Sequence, residues 1–203
     1  MDKLVPFETF VFLEEDYVVA PSIYKSVAAG LDAMEELKEE TNGGFLGISF
    51  DPTHGGMKSL GKGASPEFWS ATQFISGPMT LNRSTFLKIK ENSDSYCGVD
   101  GFDEYNWDWT FVHMGVKKIL PHTVLEPTQM LTKHIGLEGG MHEHKKTAKQ
   151  RTQLLDTEFV GTKFRGSLKF PARTAKPNGG WGHPADKDHC MNVLKGTAVE
   201  TTA

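Results

Sequence analysis

A strand-like run, a helical run and a second strand-like run follow one another within residues 7–50, and few folds accept that order. Phe7 to Leu13 reads FETFVFL, β-branched and aromatic and of the length of a buried strand, and it stops at Glu14-Glu15-Asp16. Pro21-Ser22 then opens a segment whose apolar residues Ile23, Val27, Leu31 and Met34 fall on one helical face, closed by Asn42-Gly43-Gly44. Phe45 to Phe50 alternates as a strand does. Strand, helix, strand in succession places the chain in the α/β class.

The 203 residues suffice for one domain with a real core. The 21 Gly and 10 Pro imply many turns and short elements. Asp51 to Ser76 is rich in Gly, Ser and Pro without either period; it is either a surface loop that closes over a ligand or a plain disordered excursion. Asn82 or Ser84 caps a short helix through Leu87 and Ile89, and Tyr105 to Met114 is a second, with Trp107, Phe111 and Met114 on one face. After Thr157 the chain thins into Gly, Pro and Lys and ends in a polar tail, with no repeat and no domain boundary.

Net charge is −4 and the basic residues are dispersed except at Lys117-Lys118 and Lys145-Lys146, which makes nucleic acid an unsuitable partner. The longest apolar runs fall well short of the roughly 20 residues of a membrane span, and Met1-Asp2-Lys3 leads into no signal-peptide core. No targeting is therefore expected from this chain itself. The two cysteines, Cys97 and Cys190, remain open between free thiols and a disulfide; with no C-x-x-C pattern, zinc is the weakest reading.

Three clusters bear chemistry. Adjacent carboxylates Glu14, Glu15 and Asp16 at a strand end gain by holding a hard divalent cation, Mg²⁺ or Mn²⁺, although a solvated acidic edge is the plain alternative. Asp108 stands between Trp107 and Trp109, where partial exclusion of water favours a general base and Trp faces stack on sugars; packed core tryptophans with a capping Asp108 would look the same. Lys133-His134 and the run Gly139-Gly140-Met141-His142-Glu143-His144 put three histidines near a glycine hinge, as a metal ligand or phosphate contacts would, and as many surface histidines do.

In order, Phe12-Leu13-Glu14-Glu15-Asp16-Tyr17-Val18-Val19-Ala20-Pro21, Tyr105-Asn106-Trp107-Asp108-Trp109-Thr110, Gly140-Met141-His142 and Asn178-Gly179-Gly180-Trp181-Gly182, with Cys190 beyond, resemble the N-acetylglucosaminyltransferase II family from about Glu8 to Cys190. The resemblance implies the C-terminal portion of a GT-A (nucleotide-diphospho-sugar transferase) fold, with the N-terminal nucleotide-binding half expected outside this chain. It divides a single partial catalytic domain over 1–203 into an acidic strand-helix-strand part over 1–50, a mobile loop over 51–80, an acceptor and base half over 81–190, and a polar tail over 191–203.

The implied reaction is inverting, Mn²⁺-dependent transfer of N-acetylglucosamine from UDP-GlcNAc, in β1,2 linkage, to the α1,6-arm mannose of an N-glycan. The implied setting is the Golgi lumen, with a membrane anchor only in the full-length protein. On the same footing, Asp108 is the base, Asp16 and His134 bind the metal, and Glu14, Glu15, Asn106, Trp107 and His142 line the substrates. Cys97 and Cys190 match two cysteines that pair in the family, while Lys118 and Ala148 stand near places where it has others. The segment Gln73-Phe74-Ile75-Ser76-Gly77-Pro78-Met79 departs from the family's pattern. A catalytically silent fragment that still binds glycans is the competing reading.

Overall fold

The computed structural model describes residues 8–14, 17–41, 44–50, 68–74, 77–98, 107–128, 131–134, 161, 163–170 and 184–197. Eight short strands and five α-helices occupy them. Strand β1 (Thr9–Phe12) pairs antiparallel with β5 (Met79–Asn82), and β2 (Tyr17–Val19) pairs antiparallel with β7 (Thr132–His134). A four-stranded mixed sheet runs in the order β3 (Gly47–Ile48), β6 (Thr123–Pro127), β4 (Phe68–Gln73), β8 (Lys163–Phe164). The helices are α1 (Ile23–Glu36), α2 (Arg83–Glu91), α3 (Ser93–Cys97), α4 (Trp107–Val116) and α5 (Pro184–Lys195). The mixed α/β class inferred from the opening strand-helix-strand order is what forms.

Side-chain alternation along β6 explains the layering. Leu125 enters one core with Ile48, Trp69 and Ala71, against which Val27 and Leu31 of α1 pack. Its neighbour Val124 points the other way, into a core with Phe74, Leu81, Ile89, Phe111 and Met114, built mainly from the remaining helices. Helix α1 comes close because position 30 is glycine: a Cβ there would lie 2.5 Å from Ile48 Cδ1 and 2.9 Å from the Trp69 ring. Asn82 caps α2, its side chain accepting the Thr85 N–H at 2.7 Å, as its placement before that helix suggests.

Two expectations are corrected. Strand β1 is half-buried rather than buried, with Val11 39% and Leu13 41% exposed, because its described pairing is with β5 alone, outside the four-stranded sheet. The loop expected over 51–80 gives way at 68–73 to strand β4, which pairs with both β6 and β8, and at 79 to the start of β5. The polar Ser70, Thr72 and Gln73 dilute the apolar signal of β4, and its identity as a strand comes from the neighbours on either side. Residues 51–67, 75 and 76 of the expected loop and residues 198–203 of the expected tail lie outside the described residues, and the start of that tail is the end of α5.

Cys97 and Cys190, 93 residues apart, form a disulfide with Cα atoms 5.8 Å apart, joining α3 to α5. The bridge implied by the family resemblance therefore forms, and composition alone had left it open. Lys195 and Asp94, paired at 3.2 Å, link the same two helices on the surface.

Gly47 has a sharper constraint than Gly30. A Cβ at position 47 would sit 1.9 Å from the backbone oxygen of Thr80, and the Thr80 hydroxyl accepts the Ile48 N–H at 2.9 Å. Backbone cannot yield as a flexible side chain does, so Gly47→Ala should force β3 and β5 apart and cost about 3 kcal/mol or more. Urea denaturation checks this; a midpoint equal to that of the unaltered protein would refute it.

Candidate active site

The acidic stretch follows β1 and precedes β2. Glu14 is half-buried, and its carbonyl accepts the Tyr17 N–H at 3.2 Å, closing the turn that carries the chain from one two-stranded ribbon to the other. The sequence placed acids at the end of the first strand, and Glu14 lies just past it. Across β2, Tyr17 pairs with His134, Val18 with Lys133 and Val19 with Thr132. The C-terminal end of β7 thus lies beside the start of β2, although 117 positions separate Tyr17 from His134 in the chain.

Thr132 anchors β7 from below, 1% exposed, its hydroxyl donating to the Phe50 carbonyl at 3.2 Å. Ala20, just past β2, donates its N–H to the Leu131 carbonyl at 2.8 Å, extending the contact between the two segments.

Asp108 lies in the first turn of α4 and is half-buried. Its carboxylate accepts the Trp109 N–H at 2.8 Å. That N–H and the first turn of the helix place backbone donors beside the carboxylate. The inner face of α4 is fixed by Phe111, whose ring meets Phe74 and Tyr96 edge-on at 5.7 and 5.5 Å. The helix therefore presents Asp108 from a rigid seat, as a site residue needs.

Glu15, Asp16, Asn106 and His142 lie outside the described residues, as do the side chains of Trp107 and His134. Among the described residues no group of three or more His, Cys, Asp or Glu side chains forms a metal cluster. Nor is any helix among them long and apolar enough to cross a membrane.

Residues 6–190 match the N-acetylglucosaminyltransferase II family. The chain belongs to this family. Its similarity to curated members is even across mammals. It is 31% identical over 201 residues to the rat alpha-1,6-mannosyl-glycoprotein 2-beta-N-acetylglucosaminyltransferase, covering 91% of this chain and 43% of that protein. The mouse enzyme of the same name gives the same figures, and the human one is 29% identical over 201 residues, 91% of this chain and 42% of the relative. The chain thus spans less than half the length of the curated N-acetylglucosaminyltransferase II proteins it matches, and the matched segment contains every site position discussed above.

The motif reading of this family member passed over two buried polar residues. Glu126 in β6 and Ser70 in β4 are each 2% exposed and face each other across the sheet. The signal for Glu126 was present, a single charge inside the otherwise apolar stretch Val124-Leu125-Glu126-Pro127; Ser70 gave none.

Proposed function

We propose that the chain is the acceptor-side part of an inverting glycosyltransferase of GT-A fold. It transfers N-acetylglucosamine from UDP-GlcNAc to the 2-hydroxyl of the α1,6-arm mannose of an N-glycan, in the Golgi lumen. One observation carries this reading: the chain matches its family from residue 6 to 190, a span that includes every position given a role here.

Asp108 is the base. Its carboxylate takes the proton of the mannose 2-hydroxyl as that oxygen attacks the anomeric carbon from the face opposite the UDP leaving group, so configuration inverts. Its seat in the first turn of α4 and its hydrogen bond from the Trp109 N–H hold the carboxylate in place for this step. Trp107 and Asn106 border the acceptor, and Glu14, Glu15 and His142 contact the sugars.

Asp16 and His134 hold the metal. The register supports this: His134 pairs with Tyr17, the residue after Asp16. Antiparallel partners lie about 5 Å apart and consecutive Cα atoms about 3.8 Å, so chain connectivity alone keeps position 16 close to the backbone of His134. A carboxylate and an imidazole are a suitable donor set for Mn²⁺. When bound, Mn²⁺ would neutralise charge on the diphosphate leaving group.

Asp16→Asn should weaken Mn²⁺ binding, followed by electron paramagnetic resonance, by about tenfold or more, equivalent to about 1.4 kcal/mol. UDP-GlcNAc affinity should fall with it in a protein of the relatives' full length. An unchanged Mn²⁺ titration in both Asp16→Asn and His134→Ala would remove the metal assignment.

A further inference from the structure

Among the asparagines of the chain, Asn82 alone opens an Asn-x-Ser/Thr triplet without proline at its centre, Asn82-Arg83-Ser84. That triplet is the acceptor motif for N-linked glycans and belongs on the surface of proteins that pass through a secretory lumen. An asparagine ahead of a helix has a second explanation, because Asn is also a favoured N-cap, and Asn82 caps α2. The two roles use different atoms.

Capping uses the oxygen. Asn82 Oδ1 accepts the Thr85 N–H at 2.7 Å and the Ser84 hydroxyl at 2.8 Å. The amide nitrogen Nδ2 makes no hydrogen bond among the described residues. Asn82 is half-buried while Arg83 and Ser84 are exposed, and the inward side of α2 is taken by Thr85 and Ile89, 3% and 4% exposed. The triplet therefore lies at the surface where β5 passes into α2, with Oδ1 engaged and Nδ2 unused. A cap alone requires no hydroxyl residue two positions on.

We propose that Asn82 is the attachment site of an N-linked glycan. Nδ2 attacks the anomeric carbon of the first sugar of a lipid-linked oligosaccharyl diphosphate; a C–N bond forms, the C–O bond to phosphate breaks, the lipid diphosphate leaves with that electron pair, and the amide gives up one proton. The product keeps Oδ1 as an acceptor, so cap and glycan coexist on one side chain. The inference rests on the lumenal setting proposed above, with which the Cys97–Cys190 disulfide agrees. In the ribbon, Asn82 pairs with Thr9 at the start of β1, whereas Glu14 lies past its far end. At about 3.3 Å per residue that is a separation on the order of 15 Å, so a glycan at Asn82 stands away from the acidic turn.

The test is to secrete the chain from a eukaryotic cell line behind a cleavable signal peptide and to treat the product with peptide-N-glycosidase F in heavy-oxygen water. Faster migration after treatment, with Asn82 converted to oxygen-labelled aspartate in the peptide mass spectrum, is the expected result. Ser84→Ala should abolish both signals while leaving the Thr85 N–H bond to Asn82, and Ser84→Thr should retain them. Asn82→Asp keeps an oxygen for the cap and lacks the amide nitrogen, so it should lose the glycan and still be secreted with the Cys97–Cys190 bridge formed. An unmodified Asn82 in the secreted chain, or a glycan that survives Ser84→Ala, would overturn the site. A glycan on Asn82 of a full-length protein that transfers no N-acetylglucosamine leaves the site standing and removes the transferase reading; transfer by a protein unmodified at Asn82 does the reverse.

Discussion

Asp108→Asn is expected to lower the rate of N-acetylglucosamine transfer by about 10²- to 10⁴-fold, the usual contribution of a general base. The substitution keeps shape and can still accept the Trp109 N–H through its amide oxygen, so the first turn of α4 should survive. Affinity for UDP-GlcNAc should hardly change, since the role proposed for Asp108 is on the acceptor hydroxyl and not on the donor. The loss should therefore fall on kcat and on kcat/KM for the acceptor together, the pattern of an interaction made in the transition state. The assay requires a chimera in which this chain is joined to the remaining part of a curated relative, because the match covers 43% of such a protein. Turnover close to that of the unaltered chimera would make Asp108 a structural residue of the α4 N-terminus and would end its assignment as base.

Removing the disulfide has the largest expected effect on stability. Cys97 and Cys190 close a loop of more than ninety residues that contains α4, β6 and β7, and with them Asp108 and His134. In the chain-entropy account a bridge of that span is worth about 4 to 5 kcal/mol, and measured losses on removing native bridges run at about 2 to 5 kcal/mol. The double variant Cys97→Ala with Cys190→Ala should lose that much. A domain of this size shifts about 2 to 4 °C in Tm per kcal/mol, so thermal and urea unfolding both resolve the change. Both cysteines are buried, at 1% and 7% exposure, so a mild reductant should act slowly on the native protein and quickly once denaturant opens it. A double variant that unfolds at the original midpoint would show the bridge to be redundant with the α3–α5 packing around Leu194 and Tyr96.

The local elements were legible wherever one period prevailed. The spacing of Ile23, Val27, Leu31 and Met34 gave α1, and the chain leaves it through a 3₁₀ turn at Lys38–Glu40, close to the predicted stop. The helix expected over Tyr105 to Met114 was recognisable for the same reason, and its described part is α4. The family, too, was written in motif order. Local patterns suffice for such features because helix periodicity and short motifs depend on residues a few positions apart.

Pairing is different in kind, because a strand's partners are set by contacts that no local window contains. Ser70-Ala71-Thr72-Gln73 reads as polar loop until β6 and β8 flank it, and the approach of His134 to Tyr17 exists only in the register of β2 with β7. Composition left Cys97 and Cys190 open between thiols and a bridge; the packing of α3 on α5 closes the choice at 5.8 Å between Cα atoms. The sequence by itself determined the α/β class, helices α1, α2 and α4, and the family, whereas α3 and α5 were not read from it. The tertiary structure alone decided which strands meet, that Glu126 and Ser70 face each other, and that Gly47 admits no side chain, since each depends on backbone brought together from distant parts of the chain.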